Sequence, residues 1–242
     1  MLVLAIPDVH LKPWMFSAAD RLLAQGDAEV AVCLGDLADD WGSGYDTSLY
    51  EQTYDAAIAF ARRHPTTRWC WGNHDLSYRW QRLESGYSVF ARDTVRAKLE
   101  ELQPTLGGDN PIVYVQRVDN AIFSHAGVSE AFVRDQVQAQ DPAVDVGDVD
   151  AVIHAINRLG ARQMWGDGTP IWLRPNEGER LYRKDSLLHV VGHTPVVRPT
   201  EDGGALYTDT FSTYRDGRPI GSEEFVLIES ETLQWRAVKA DR

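Results

Sequence analysis

Cysteine is scarce in this chain. Its two thiols, Cys33 and Cys70, sit inside apolar runs and lack C-x-x-C spacing. Buried inert thiols are the plain reading, with a disulfide or a metal ligand as the rivals. Long apolar runs are missing too: none approaches the ~20 residues of a membrane span. The start, Met1-Leu2-Val3-Leu4-Ala5-Ile6-Pro7, has neither a basic leader nor a small-residue cleavage site, so it reads as a first strand of a cytoplasmic protein. Basic residues are in deficit, 24 Lys and Arg against 36 Asp and Glu, a net charge of −12. Duplex nucleic acid is gripped mainly at its phosphates by Lys and Arg, so no extended nucleic-acid surface is expected, although a local basic channel stays open. An acidic chain can instead collect divalent cations. Internal repeats and low-complexity tracts are also absent.

What is present suits a globular fold. With 43% hydrophobic residues over 242 positions, a core is within reach, and residues 1–242 read as one domain with room for a small cap. Residues 2–6 alternate too little for a half-exposed strand and resemble one buried on both faces. A helix is predicted over 14–25, where Trp14, Ala18, Leu22 and Leu23 recur at helical spacing ahead of Gly26. A second buried strand over 30–34, a helix over 47–63 stopping at His64-Pro65, and a third strand over 68–71 follow. This β-α-β-α-β order predicts parallel strands with right-handed crossovers.

Further helices are predicted over 94–102, 129–139 and 148–159, with a hairpin of 112–118 and 121–124 across Asp119-Asn120. A strand over 187–191 returns to the sheet, and runs at 205–208, 224–228 and 233–238 complete it as antiparallel strands. The expected architecture is an α/β two-sheet sandwich with flanking helices. Two stretches are read as lid or cap segments: 78–90, with Tyr78, Trp80, Tyr87 and Phe90, and 163–185, rich in Gly, Pro and Arg. For the first, packing against the adjoining helix is the rival reading.

Five strand-like runs stop at polar clusters. They end before Asp8 and His10, Gly35-Asp36, Gly72-Asn73-His74-Asp75, His125, and Gly192-His193. Open α/β sheets bind ligands beyond their strand ends. Two divalent ions ~3.5–4 Å apart can clamp the attacking and leaving oxygens of a phosphoryl displacement, and they need a bridging carboxylate with further O and N ligands. Asp8 and His10, two positions apart in an extended segment, would share one ion. Asp36 would bridge, and Asn73, His125 and His193 would complete the second. Carboxylate, amide and imidazole together suit manganese, iron or zinc better than a thiolate-rich set would. Singly, each residue has a plainer role: Asp8 or Asp36 as a helix N-cap, Asn73 in a turn, His125 or His193 as a hydrogen-bonded strand end. His64, His154 and His189 carry no motif and read as helix or strand residues.

Taken in order, Asp8-x-His10, Gly35-Asp36, Gly72-Asn73-His74-Asp75, Ser124-His125-Ala126-Gly127 and Gly192-His193 resemble the five motifs of the calcineurin-like metallophosphoesterases, across residues 8–193. Gly192-His193-Thr194-Pro195 has no second His two residues on. That is similar to the phosphoprotein-phosphatase-like branch, which includes diadenosine tetraphosphatases, rather than to nucleases and cyclic-nucleotide phosphodiesterases with GHxH. The resemblance implies two divalent ions, manganese first, with iron, zinc or nickel as alternatives. It implies in-line attack on phosphorus by a hydroxide held between them, and His74, oriented by Asp39, as proton donor to the leaving oxygen. Trp172-Leu173-Arg174 resembles the segment whose Arg binds substrate phosphate, with Arg162, Arg180 and Arg183 as competitors for Arg174. Asp209-Thr210 resembles the late Asp-Thr of the branch.

Two departures stand out. Leu11 occupies the place of the Gly that follows the first motif, and Asp40 stands where a phosphate-binding Arg is usual. The second departure removes half of the implied arginine clamp and weakens phosphoprotein as the substrate. The expected activity is hydrolysis of a phosphoric ester, either a phosphomonoester, a phosphoprotein or a dinucleoside polyphosphate. The rivals are a phosphodiesterase or nuclease of the same superfamily, and a catalytically silent scaffold that keeps the fold for binding. Decay to a scaffold should first remove His74 or a ligand, and all of them are present.

Overall fold

In the computed structural model, which describes residues 1–108, 110–175 and 178–241, the first apolar run becomes a central strand. β1 (Leu2–Ile6) sends Val3 and Ala5 into one apolar layer and Leu4 and Ile6 into another. A strand with two buried faces has no use for polar alternation, which is why the run is continuous. α1 (Trp14–Ala24), β2 (Val30–Cys33), α2 (Thr47–Arg63) and β3 (Arg68–Trp69) follow, with β1, β2 and β3 parallel. α2 starts where the Asp46 carboxylate accepts from Leu49 N at 3.1 Å, and stops at His64 before Pro65. β3 is shorter than the expected 68–71, because Trp71 N leaves the sheet ladder and donates to Val113 O at 2.8 Å.

The chain continues through α3 (Asn73–Trp80) and α4 (Arg92–Thr105) to a second sheet. β4 (Val115–Val118) and β5 (Ala121–Ser124) form the predicted hairpin, turning at Asp119 with φ +49°. The helix expected over 129–139 is a short α5 (Glu130–Phe132) that runs on as a π-helical segment, Val133–Gln138. α6 (Val149–Asn157), capped by Asp148, and α7 (Ala161–Met164) precede β6 (Leu188–Val191). Then come β7 (Thr200–Asp202), β8 (Ala205–Tyr207), β9 (Glu224–Glu229) and β10 (Trp235–Lys239).

The sheets run β10-β9-β1-β2-β3 and β4-β5-β6-β8-β7. β9 and β10 are antiparallel as expected, but β8 lies parallel to β6 and antiparallel only to β7. Val3, Val32 and Val226 of the first sheet share one buried cluster with Phe123, Val190 and Leu206 of the second. Leu4, Ile6 and Cys33 instead pack in the cluster that holds Met15, Tyr54 and Ile58 of α1 and α2. Both cysteines are free and buried, and burial pushes both thiols up. No helix among the described residues is long and apolar enough to cross a membrane. The loops that leave β1, β2, β3, β5 and β6 carry the five polar clusters to one place, because parallel strands share one carboxyl edge in each sheet.

Candidate metal centre

The first two loops are tied by backbone: Val9 N and His10 N both donate to Asp36 O, at 3.0 and 2.8 Å. His10 and Leu11 take φ of +42° and +57°. Asp8 and His10 therefore converge through a turn, not through the strand alternation that their spacing suggested. His10 Nδ1 donates to Asp39 O at 2.7 Å. A carbonyl only accepts, so Nδ1 carries the proton of this bond and Nε2 is the ring atom turned toward the carboxylates. That Nε2 stands 3.9 Å from Asp8 Oδ1 and 3.9 Å from Asp36 Oδ2. Asp8, His10 and Asp36 each offer a ligand atom within 4.8 Å of the others.

His125 repeats the arrangement from the second sheet. Its Nδ1 donates to Leu34 O at 2.9 Å, while Nε2 lies 3.2 Å from Asp36 Oδ2 and 2.9 Å from Asn73 Oδ1. His193 N donates to both Asp8 oxygens, at 3.0 and 3.1 Å, and its Nε2 is buried without a hydrogen-bond partner. Burial, His125 and Arg174 push the His193 imidazole down to about 2, so this ring is neutral. Two glycines make these approaches possible. A Cβ on Gly72 would lie 2.0 Å from Asp36 Oδ1, and one on Gly192 would lie 1.9 Å from Asp8 Oδ2.

The electrostatics are those of a site short of positive charge. Burial and the nearby Asp209 push Asp8 well above the usual carboxylate range. Burial works the same way on Asp36, but His125, His74 and His10 outweigh it and hold that carboxyl low. Burial would lower His125, yet Asp36 and Asp8 push it up to about 9. Two buried carboxylates, an amide oxygen, imidazole nitrogens fixed by carbonyl partners and one orphaned Nε2 fit a divalent transition ion with mixed O and N ligands.

His74 sits on the first turn of α3. Its N–H donates to Asp36 Oδ1 at 2.9 Å, and its Nδ1 to Asp39 Oδ2 at 2.8 Å. Asp39 Oδ1 accepts from Tyr50 and Tyr78 hydroxyls at 2.7 and 2.5 Å, so the carboxylate is fixed from three sides. Burial opposes charge on His74, but Asp36 and Asp39 raise it to about 9. The tyrosine struts escaped sequence reasoning. Tyr50 falls on the apolar stripe of α2, and the only available signal was that a buried phenol needs an acceptor. Asp75 stitches the second and third loops, accepting from Leu37 N at 3.0 Å and Gly72 N at 3.3 Å. Burial and Asp36 push it up to about 6.

Asp8, His10, Asp36, Asp39, Asn73, His74, Arg174 and His193 line one cavity of about 430 Å³, and His125 lies fully buried behind it. Arg174 donates to His193 O at 3.3 Å and to Thr194 Oγ1 at 3.2 Å. Its competitors face elsewhere: Arg180 pairs with Glu130 and Asp185, Arg183 bonds Gly147 O, and Arg162 is not a lining residue. Of segment 78–90, Glu84, Ser85 and Gly86 reach the cavity, while Tyr78 and Trp80 pack inward and Phe90 is exposed away from it. Of 163–185, Trp172 and Arg174 reach it, and residues 176 and 177 lie outside the described residues. Asp40 is bound to Lys12 Nζ at 2.8 Å and Thr213 Oγ1 at 2.5 Å.

An α/β sandwich with this gathering of carboxylate, amide and imidazole groups at its strand ends defines a metal-dependent hydrolase. The chain belongs to the calcineurin-like phosphoesterases, whose family pattern matches residues 1–216, and is a metal-dependent phosphoesterase. No curated protein sequence matches it. Among solved structures, it is similar to the cold-active protein-tyrosine phosphatase of a psychrophile Shewanella sp., at TM-score 0.56 and 16% identity over 98% of this chain and 80% of that one. A protein serine/threonine phosphatase from Saccharomyces cerevisiae with similarity to human phosphatase PP5 aligns at TM-score 0.53 and 12% identity, over 100% of this chain and 81% of that one. Identities so low speak for a shared fold.

Proposed function

We propose that this chain is a cytoplasmic phosphatase that uses two divalent ions to hydrolyse phosphomonoesters, phosphorylated protein side chains among them, or dinucleoside polyphosphates. The reading is carried by one observation: His74, clamped to Asp39, faces the same cavity as the Asp8, His10 and Asp36 cluster. Asp8 and His10 would hold one ion and Asn73, His125 and His193 the other, with Asp36 within reach of both. Divalent ions held there would supply Lewis-acid polarisation of phosphoryl oxygens and a water of near-neutral pKa. Manganese is the first metal to supply, with iron, zinc and nickel as alternatives, since these ligands accept all four.

The chain's own groups do the rest. His74 has Nδ1 committed to Asp39, which leaves Nε2 to pass a proton to the leaving oxygen. The Arg174 guanidinium spreads donors over the non-bridging oxygens, where charge builds up. The lining parts of the two cap segments, Glu84, Ser85, Gly86, Trp172 and Arg174, bound the substrate.

The test combines elemental analysis with a phosphate-release screen over phosphopeptides, nucleotides and dinucleoside polyphosphates. It includes p-nitrophenyl phosphate and its bis ester with added manganese. Release from monoesters by a metal-loaded protein supports the reading. Preference for the bis ester would make it a phosphodiesterase, and no turnover of either with metal bound would make it a scaffold.

A further inference from the structure

We propose that Arg215 is a second phosphate-binding arm of this cavity, reached through a hairpin from the far end of the chain; the proposal rests on the phosphatase reading. Charge on the cavity wall is lopsided. Five carboxylates line it, Asp8, Asp36, Asp39, Asp40 and Glu84, against the guanidinium groups of Arg174 and Arg215. Asp40 is neutralised by Lys12, whose Nζ is 2.8 Å away. Arg174 already spends donors on His193 O and Thr194 Oγ1. Arg215, by contrast, is exposed, and no carboxylate among the described residues pairs with it.

The hairpin sets where that guanidinium stands. Thr213 bridges to Pro219, Tyr214 N donates to Arg218 O at 2.8 Å, and Gly217 turns the chain with φ +81°. Its base is pinned into the site: Thr213 Oγ1 donates to Asp40 Oδ1 at 2.5 Å, and Ser212 bonds Asp209. Its tip is pinned by Trp41, since the Arg215 Cζ lies 4.9 Å from that ring's centroid. Stacking holds an arginine by its face and leaves its in-plane N–H fork free for an anion. A side chain fixed in advance also loses less entropy on binding.

The geometry gives the departure at position 40 a purpose. Asp40 and Trp41 together form the dock for the hairpin, so a cation absent from the loop after β2 returns from the segment after β8. Arg215 is the binding residue, while Asp40 and Trp41 are positioning residues.

The experiment uses the manganese-loaded full chain and the variants Arg215→Ala, Trp41→Ala and Trp41→Phe. Inorganic phosphate affinity is measured by calorimetry, metal content by elemental analysis, and kcat and KM on p-nitrophenyl phosphate. In Arg215→Ala, phosphate affinity and kcat/KM should both fall about 10–100-fold, the range of a charge-assisted hydrogen bond, with metal content unchanged. Guanidinium ion added to the buffer should restore part of the loss. Trp41→Ala should share the defect in milder form, and Trp41→Phe, which keeps an aromatic face, should recover it. Unchanged phosphate affinity in Arg215→Ala, or a loss that follows loss of metal, overturns the proposal. A metal-loaded wild type that hydrolyses no phosphoester would end the phosphatase reading instead, and phosphate calorimetry would still decide on Arg215.

Discussion

Leu11 holds φ +57° in the turn where the family resemblance puts glycine. A left-handed backbone costs such a residue about 1–2 kcal/mol. The side chain, however, is 4% exposed and belongs to the main core cluster. Deleting a buried leucine side chain typically costs about 2–5 kcal/mol once the cavity is counted. Packing therefore outweighs strain, and Leu11→Gly should lower stability in denaturant melts by about 1–3 kcal/mol with metal content unchanged. A more stable variant would mean that the turn, not the core, dictates this position. His74 carries the second prediction at this scale. His74→Asn should keep its metals by elemental analysis while turnover falls roughly 10²–10⁴-fold, the usual worth of a positioned proton donor. Loss of metal from that variant would turn His74 into a ligand. The residues that converge here were readable because each closes a short local pattern: an apolar run, then glycine or a tight turn, then a polar side chain. Tyr50, Tyr78 and Arg215 were not, because their partners Asp39 and Trp41 are distant in sequence and no local spacing marks them.

Elements follow the same division between local and distant causes. β1 and α2 were legible from periodicity, since burial on both faces or on one stripe leaves a direct mark on composition. The direction of β8 was not, because pairing with β6 decides it, and the exposed strand β7 offered no apolar signal at all. β6 also holds a titratable group that its apolar run conceals. His189 is fully buried, its Nε2 donates to Tyr182 O at 2.8 Å, and its Nδ1 has no partner. Burial pushes this imidazole down to about 4. In an unfolded chain it would titrate near 6.5, so between those values the unfolded state binds a proton that the folded state refuses. Stability contributed here is intact above about pH 6.5 and is lost as pH falls towards 4, by about 3 kcal/mol in all. His189→Gln cannot titrate in that window. The stability difference between wild type and variant should therefore shift by that amount in the variant's favour from pH 7 to pH 4, measured by urea melts. A difference independent of pH would show that His189 takes up its proton equally in both states.

At the scale of the whole molecule, the two sheets meet twice: in an apolar layer and at the polar cavity. Asp8, Asp36 and Asn73 leave strands of the first sheet, and His125 and His193 leave strands of the second. At and just behind the cavity wall the sheets touch through His193 N on Asp8 and through His125 Nε2 beside Asp36. Ions shared across that seam would act as a clip between the sheets, and an unfolded chain could not reproduce it. Binding to the folded state alone stabilises by RT ln(1 + [L]/Kd), about 2.7 kcal/mol at a hundredfold excess over Kd. For a chain of this size, that corresponds to a rise in Tm of roughly 5–10 °C. Manganese should produce such a rise, and a chelator should reverse it and abolish phosphate release. The net charge of −12 supplies an obvious competing cause, since an acidic surface can attract cations loosely anywhere. Asp36→Asn separates the two. It removes the carboxylate whose Oδ2 stands 3.9 Å from His10 Nε2 and 3.2 Å from His125 Nε2, while leaving the surface untouched. If the clip is real, this variant should lose most of the manganese-induced shift. An equal shift in wild type and Asp36→Asn would put the stabilising ion on the surface and detach it from the seam.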